Sequence, residues 1–138
     1  MGAPTPPEPG DSPAAALPVD RLSLAQLRQL AQQRASYGAS PQQRVVLVQQ
    51  RAQAIRAYVL KRANGTCEGC GQPAPFLTAA NRPYLEPHHT LRLADGGPDA
   101  PEHVIALCPN CHRRAHYAAD SRTFNQGLIA KLAVLEPH

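Results

Sequence analysis

Tryptophan is absent from this chain of 138 residues, and large side chains are scarce: one methionine, two phenylalanines and four tyrosines. An apolar core must then come mainly from Leu, Val, Ile and Ala, and such a core is thin. At this length there is room for one compact domain plus an extension, and a metal staple would strengthen a core of that kind. Also missing is any long apolar run, and the amino terminus has no basic start followed by an apolar stretch. These absences argue against a membrane span and a secretory leader, so a cytoplasmic protein is expected.

Acidic residues are lacking over a long interval. None occurs between Asp20 and Glu68, where Arg21, Arg28, Arg34, Arg44, Arg51, Arg56, Lys61 and Arg62 all fall. A basic block of this kind is an electrostatic footprint for a polyanion, and arginine suits bidentate phosphate contact better than lysine does. A solvated helix face is the plainer reading of the same block.

What the chain does have is a concentrated set of metal-binding side chains. Cys67 and Cys70 form one Cys-x-x-Cys pair, and Cys108 and Cys111 form another. Between and just after them lie His88, His89, His103, His112 and His116. Four thiolates close a tetrahedral zinc site, whereas imidazoles at helical spacing hold a second ion with positions left open for water and substrate. In a reducing compartment, paired Cys-x-x-Cys motifs point to zinc, and two disulfides would require secretion.

Residues 1 to 19 are rich in proline and small residues and are expected to be a disordered tail. Ser23 followed by Gln26 resembles a capping box, and Leu24, Leu27, Leu30 and Ala31 form an apolar stripe, so a helix is predicted over about 23 to 35. Val45 to Val48 have strand composition, and the next helix is placed at about 48 to 63, its stripe being Val48, Ala52, Ile55 and Val59. On that helix Arg51, Arg56 and Arg62 are available for the polar side, and Asn64-Gly65 ends it. Short strands are expected within 74 to 78, 84 to 90 and 103 to 107, with a loop at Asp95-Gly96-Gly97-Pro98. A helix is expected from His112, and another around Phe124, Leu128, Leu132 and Leu135.

The order Cys67-x-x-Cys70, Glu86-Pro87-His88-His89, then Leu107-Cys108-Pro109-Asn110-Cys111-His112-x-x-x-His116 resembles the HNH endonuclease family in its zinc-containing branch. The likeness covers about residues 50 to 136 and is nearest to the HNH domains of modified-cytosine restriction endonucleases. It implies an α+β fold, a small ββα-metal domain with a four-cysteine structural zinc. The domain division expected is a tail over 1–19, a basic helical extension over 20–47 and the HNH domain over 48–138. It further implies metal-dependent hydrolysis of phosphodiester bonds in DNA, double-stranded by expectation. The residues before the HNH domain leave little room for a base-reading module, so either weak specificity or dependence on a partner protein is expected.

Under this resemblance His89 is the general base, and His88, His112 and His116 hold the catalytic divalent ion, whether Mg2+, Mn2+, Ni2+ or Zn2+. His112 and His116 are one turn apart and share a helix face. Three imidazoles favour a transition metal on softness grounds. Neighbours on a regular strand point to opposite faces, so His88 and His89 reach one site only where the strand ends or bends, and rings that diverge across a flat strand would defeat this division of roles. Pro87 would supply such a bend. Glu86, two residues before His88, is either a carboxylate that orients an imidazole or a solvated one.

The pattern is broken at one position. Where the family carries an asparagine that orients the base, this chain has His103, left open between a catalytic and a plain surface role. Asn110 belongs by position to the turn of the second cysteine pair. Arg92, Arg113 and Arg114 are candidate phosphate contacts, or else pack through their stems. Two other functions fit the same residues: a non-catalytic zinc-stapled nucleic-acid-binding module, and an adaptor that docks its basic helices on an acidic protein.

Overall fold

The computed structural model describes residues 17–33, 38–91 and 99–136. Residues 1–16 of the expected tail, Arg34, Arg92 and the Asp95-Gly96-Gly97-Pro98 loop lie outside these.

Ser23 starts the first helix, α1 (Leu24–Ala31), through a reciprocal cap. Its hydroxyl accepts from the Gln26 amide at 3.1 Å, and the Gln26 side chain accepts from the Ser23 amide at 2.9 Å. Two amide donors that the helix cannot satisfy internally are thereby paired. Ser40 and Gln43 repeat the device at the start of α2 (Pro41–Ala63), where Pro41 occupies a position that needs no N–H.

The second helix therefore starts well before the expected residue 48, and the cap overrides the strand preference of Val45 to Val48. The division anticipated at 47/48 falls inside it. Its buried face is Ala54, Ile55, Tyr58, Val59 and Ala63, whereas Val48 and Ala52 of the predicted stripe are exposed. The helix ends at Asn64 in the left-handed conformation (φ 51°, ψ 45°), followed by Gly65 at φ 83°.

Two strands form the sheet. β1 (Glu86–His89) pairs antiparallel with β2 (Val104–Leu107), Glu86 opposite Leu107 and His89 opposite Val104. The strand expected over 74 to 78 is reduced to isolated bridges, Thr66 with Pro73 and Leu77 with Pro83. Pro73, Pro75 and Pro83 cannot donate to a ladder, which accounts for the reduction.

α3 (Pro109–Tyr117) starts three residues earlier than expected, capped by the Cys108 sulfur, so Asn110 lies in a helical turn. α4 (Ser121–Leu135) buries Leu128 and Leu132. All four residues of β2 are buried, and the strand packs against α2, α3 and α4. With Leu27, Ile55 and Val59 it forms the aliphatic core that the composition demands.

One charge network joins these layers. Arg62 is not on a polar face: its side chain is buried, and it grips Glu68 with two bonds of 2.8 Å. It also donates to Glu136 at 3.1 Å and to the Val104 carbonyl at 2.9 Å. Glu136 is shared with Arg28 at 2.9 Å and with the Tyr58 hydroxyl. Part of the basic block thus neutralises internal carboxylates, the usual requirement for burying a charge.

Candidate functional site

The two cysteine pairs converge from separate segments of the chain. Cys67 and Cys70 come from the loop after α2, and Cys108 and Cys111 cap and open α3. Their sulfurs lie within 4.8 Å of one another, and none is in a disulfide. Tetrahedral Zn–S bonds of about 2.3 Å place ligand sulfurs about 3.8 Å apart, so the spacing suits a structural zinc.

The protons tell the same story. Burial pushes the Cys67 thiol up, yet backbone amides of Cys108, Cys70 and Gly69 overcome this and bring it down to about 7. Burial raises the Cys108 and Cys111 thiols, and the Cys67 sulfur adds to the effect. Four thiolates crowd together only when a cation compensates them.

A second cluster forms across the sheet and α3. His88, His112 and His116 offer nitrogens within 4.8 Å of one another, their ring centroids separated by 5.3, 5.0 and 4.9 Å. His112 Nε2 and His116 Nε2 are 3.2 Å apart, close to the roughly 3.3 Å edge of a tetrahedral site with metal–nitrogen bonds of about 2.0 Å.

Each ring is held from behind. Glu86 Oε1 accepts from His112 Nδ1 at 2.7 Å, which leaves Nε2 free for the cluster. The Tyr84 hydroxyl donates to Glu86 Oε2 at 2.6 Å, and together with His112 it keeps the Glu86 carboxyl below its ordinary range. Asn125 of α4 contacts His88 Nε2 at 2.9 Å and the Thr90 carbonyl at 2.8 Å. Burial lowers the His88 pKa, and the other histidines reinforce this against the opposing bond with Asn125, which favours the uncharged ring that a metal ligand requires.

His89 takes a different partner. Its Nε2 lies 3.0 Å from Asp99 Oδ1, and the Asp99 carbonyl accepts from the Arg51 guanidinium. The rings of His88 and His89 therefore diverge, as alternation requires. No bend occurs at Pro87, which pairs in register with Ala106. The strand does end at His89, however, and the chain turns at Thr90, whose amide and hydroxyl both bond the His103 carbonyl, at 3.0 and 3.1 Å.

His103 contributes that carbonyl, and its imidazole makes no hydrogen bond among the described residues. Arg114 is engaged by Asp120 and lies 4.2 Å from the Phe124 ring centroid, while Arg113 sits over Tyr117. Arg92 lies outside the described residues. Three participants were not legible in the sequence: Asp99, Asn125 and Arg51 carry no spacing signal relative to the histidines. Glu86 was legible, because a residue two before His88 shares its strand face.

Comparison with known proteins agrees with this geometry. The HNH endonuclease family matches residues 67–118. The Type IV methyl-directed restriction enzyme EcoKMcrA of Escherichia coli (strain K12) is 39% identical over 82 residues, which make up 59% of this chain and 30% of that enzyme. The solved structure of the Type IV phosphorothioation-dependent restriction endonuclease ScoMcrA is similar with a TM-score of 0.63 and 30% identity, covering 92% of this chain and 26% of that one. The chain thus spans less than a third of the length of either relative.

Proposed function

Residues 67–118 of this chain form an HNH endonuclease domain, and on that premise we propose that it hydrolyses phosphodiester bonds of DNA, with His89 as general base and a divalent ion held by His88, His112 and His116. The observation that carries this reading is the three-imidazole cluster with a fourth histidine, His89, at the end of the same strand but outside the ligand set.

A phosphodiester is anionic and repels hydroxide, so hydrolysis needs a base for the attacking water and positive charge at the phosphate. A divalent ion held by His88, His112 and His116 would supply that positive charge. His88, His112 and His116 fit such an ion, since they offer ring nitrogens within 4.8 Å of one another and imidazole nitrogen is a common ligand for divalent metals. Asp99 accepts the Nε2 hydrogen of His89, which leaves Nδ1 as the nitrogen that takes a proton from water. Arg51 fixes the backbone of Asp99 and so the height of that carboxylate.

The cysteine cluster holds structural zinc in this reading, and an intracellular, reducing setting suits its thiolates. Arg113 is exposed on α3, next to His112, and serves as a phosphate contact on double-stranded DNA. The two relatives are named for different modifications, methyl and phosphorothioate, yet both resemble this unit. That supports a cutting module whose choice of site comes from elsewhere, such as a specificity partner.

The test is nicking of supercoiled plasmid with Mg2+, Mn2+, Ni2+ or Zn2+, for wild type and His89→Ala. Wild type should nick with at least one ion, and the variant should be slower by about 10²–10⁴-fold, the usual worth of a positioned base. Metal analysis should find two ions in wild type and one in a His112→Ala, His116→Ala double variant. Unchanged nicking by His89→Ala would remove it from the mechanism, and no cleavage with any ion would leave a zinc-stapled binding module.

A further inference from the structure

Asn125 lies on α4, beyond the stretch that matches the HNH family. Its amide orientation is fixed by a partner of one kind only: Nδ2 donates to the Thr90 carbonyl at 2.8 Å, and a carbonyl oxygen cannot donate in return. The atom 2.9 Å from His88 Nε2 is therefore Oδ1, which can only accept. The hydrogen between them belongs to His88 Nε2. In a neutral imidazole one nitrogen donates and the other accepts, so the lone pair of His88 is on Nδ1.

We propose that Asn125 is a positioning residue that locks His88 in the Nε2–H tautomer, with Nδ1 turned toward His112 and His116 as the ligand atom for a divalent cation. The part concerning the cation rests on the metal-site reading above. His112 is set the opposite way: Glu86 takes its Nδ1 hydrogen and leaves Nε2 for the cluster. Two partners thus impose opposite tautomers on two rings, one approaching from a strand and one from a helix. Asn125 also ties α4 to the turn at Thr90, where β1 ends, so the helix sets both the ring and the end of its strand. Ligand imidazoles are commonly oriented by such a bond on the nitrogen remote from the metal.

The lock is read first without any exchangeable ion. In protein that keeps its structural zinc and has been dialysed against a mild chelator, histidine 15N shifts, assigned with a His88→Gln variant, should report His88 as the Nε2–H form. Asn125→Leu removes both bonds at similar volume and should give a tautomer mixture. Asn125→Asp loses the bond to Thr90 but still accepts from His88, and should retain the tautomer. Ni2+ added alone, followed by calorimetry, should bind Asn125→Leu about 10–100-fold more weakly than wild type, with Asn125→Asp within a few-fold of wild type. An Nδ1–H His88 in wild type, or Ni2+ affinity unchanged in Asn125→Leu, overturns the proposal. A locked tautomer in a wild-type protein that binds no Ni2+ supports the lock and removes the metal-site reading instead.

Discussion

Arg62 and Glu68 form a two-bond ion pair that joins the last turn of α2 to the loop carrying the first cysteine pair. Both side chains are buried, and the Ala106 amide donates to the same Glu68 oxygen at 2.9 Å. Removing one partner leaves a buried charge uncompensated, which costs about 3–5 kcal/mol. Arg62→Ala should therefore lower the free energy of urea unfolding by about that amount and weaken retention of zinc. A change below about 1 kcal/mol would mean that the pair is far more hydrated than its burial indicates.

Asp99→Asn should leave plasmid affinity intact and reduce kcat by about 10–100-fold, because the amide no longer enforces the His89 tautomer. Combined with His89→Ala it should add nothing, since both changes remove one unit. Steady-state nicking of the two single variants and the double variant decides the matter. Losses that multiply would show that Asp99 acts apart from His89.

Tyr58 gives the pH dependence a definite sign. Burial and the bond to the Glu136 carboxylate raise its pKa above the ordinary 10.0. Folded protein thus holds the phenol proton where the unfolded chain releases it. The contribution to stability is complete below about pH 10 and is lost as pH rises from there through the higher folded value. Urea midpoints measured at pH 9 and pH 11 should fall more for wild type than for Tyr58→Phe, and parallel falls would refute the assignment.

Gly69 occupies a position with no room for a side chain. A Cβ there would meet Leu107 Cδ2 at 2.8 Å, with Leu128 Cδ2 and Cys111 Sγ at 3.4 and 3.5 Å. Leu107 is fully buried and cannot swing aside. Gly69→Ala should destabilise by about 1–3 kcal/mol, as overpacking does. The loss should appear as a lower melting temperature and faster release of zinc to a chromogenic chelator.

Local signals in this sequence were strong where chemistry acts over a few residues. Ser23 with Gln26 and Asn64 with Gly65 each reveal their role by spacing alone, and the spacing of the cysteine pairs and of His112 with His116 reveals side chains that come together in the fold. The start of α2 is obscured because Val45 to Val48 read as strand, although Ser40 and Gln43 cap it as Ser23 and Gln26 cap α1. In sequence Arg62 reads as surface, because helical spacing puts it near other arginines, yet Glu68 and Glu136 meet it only after folding. Asp99 and Asn125 were invisible for the same reason: their bonds to His89 and His88 span ten and thirty-seven positions, as the separations 89 to 99 and 88 to 125 state.

The braces on the histidines enter from both flanks: Arg51 from α2 behind Asp99, and Asn125 from α4 behind His88. A graft limited to residues 67–118 would carry every cysteine and histidine ligand and neither brace, together with a Glu68 stripped of Arg62. Such a fragment would keep both side-chain clusters without the contacts that hold them. The braced unit in this chain is accordingly the longer piece, running from α1 through Glu136.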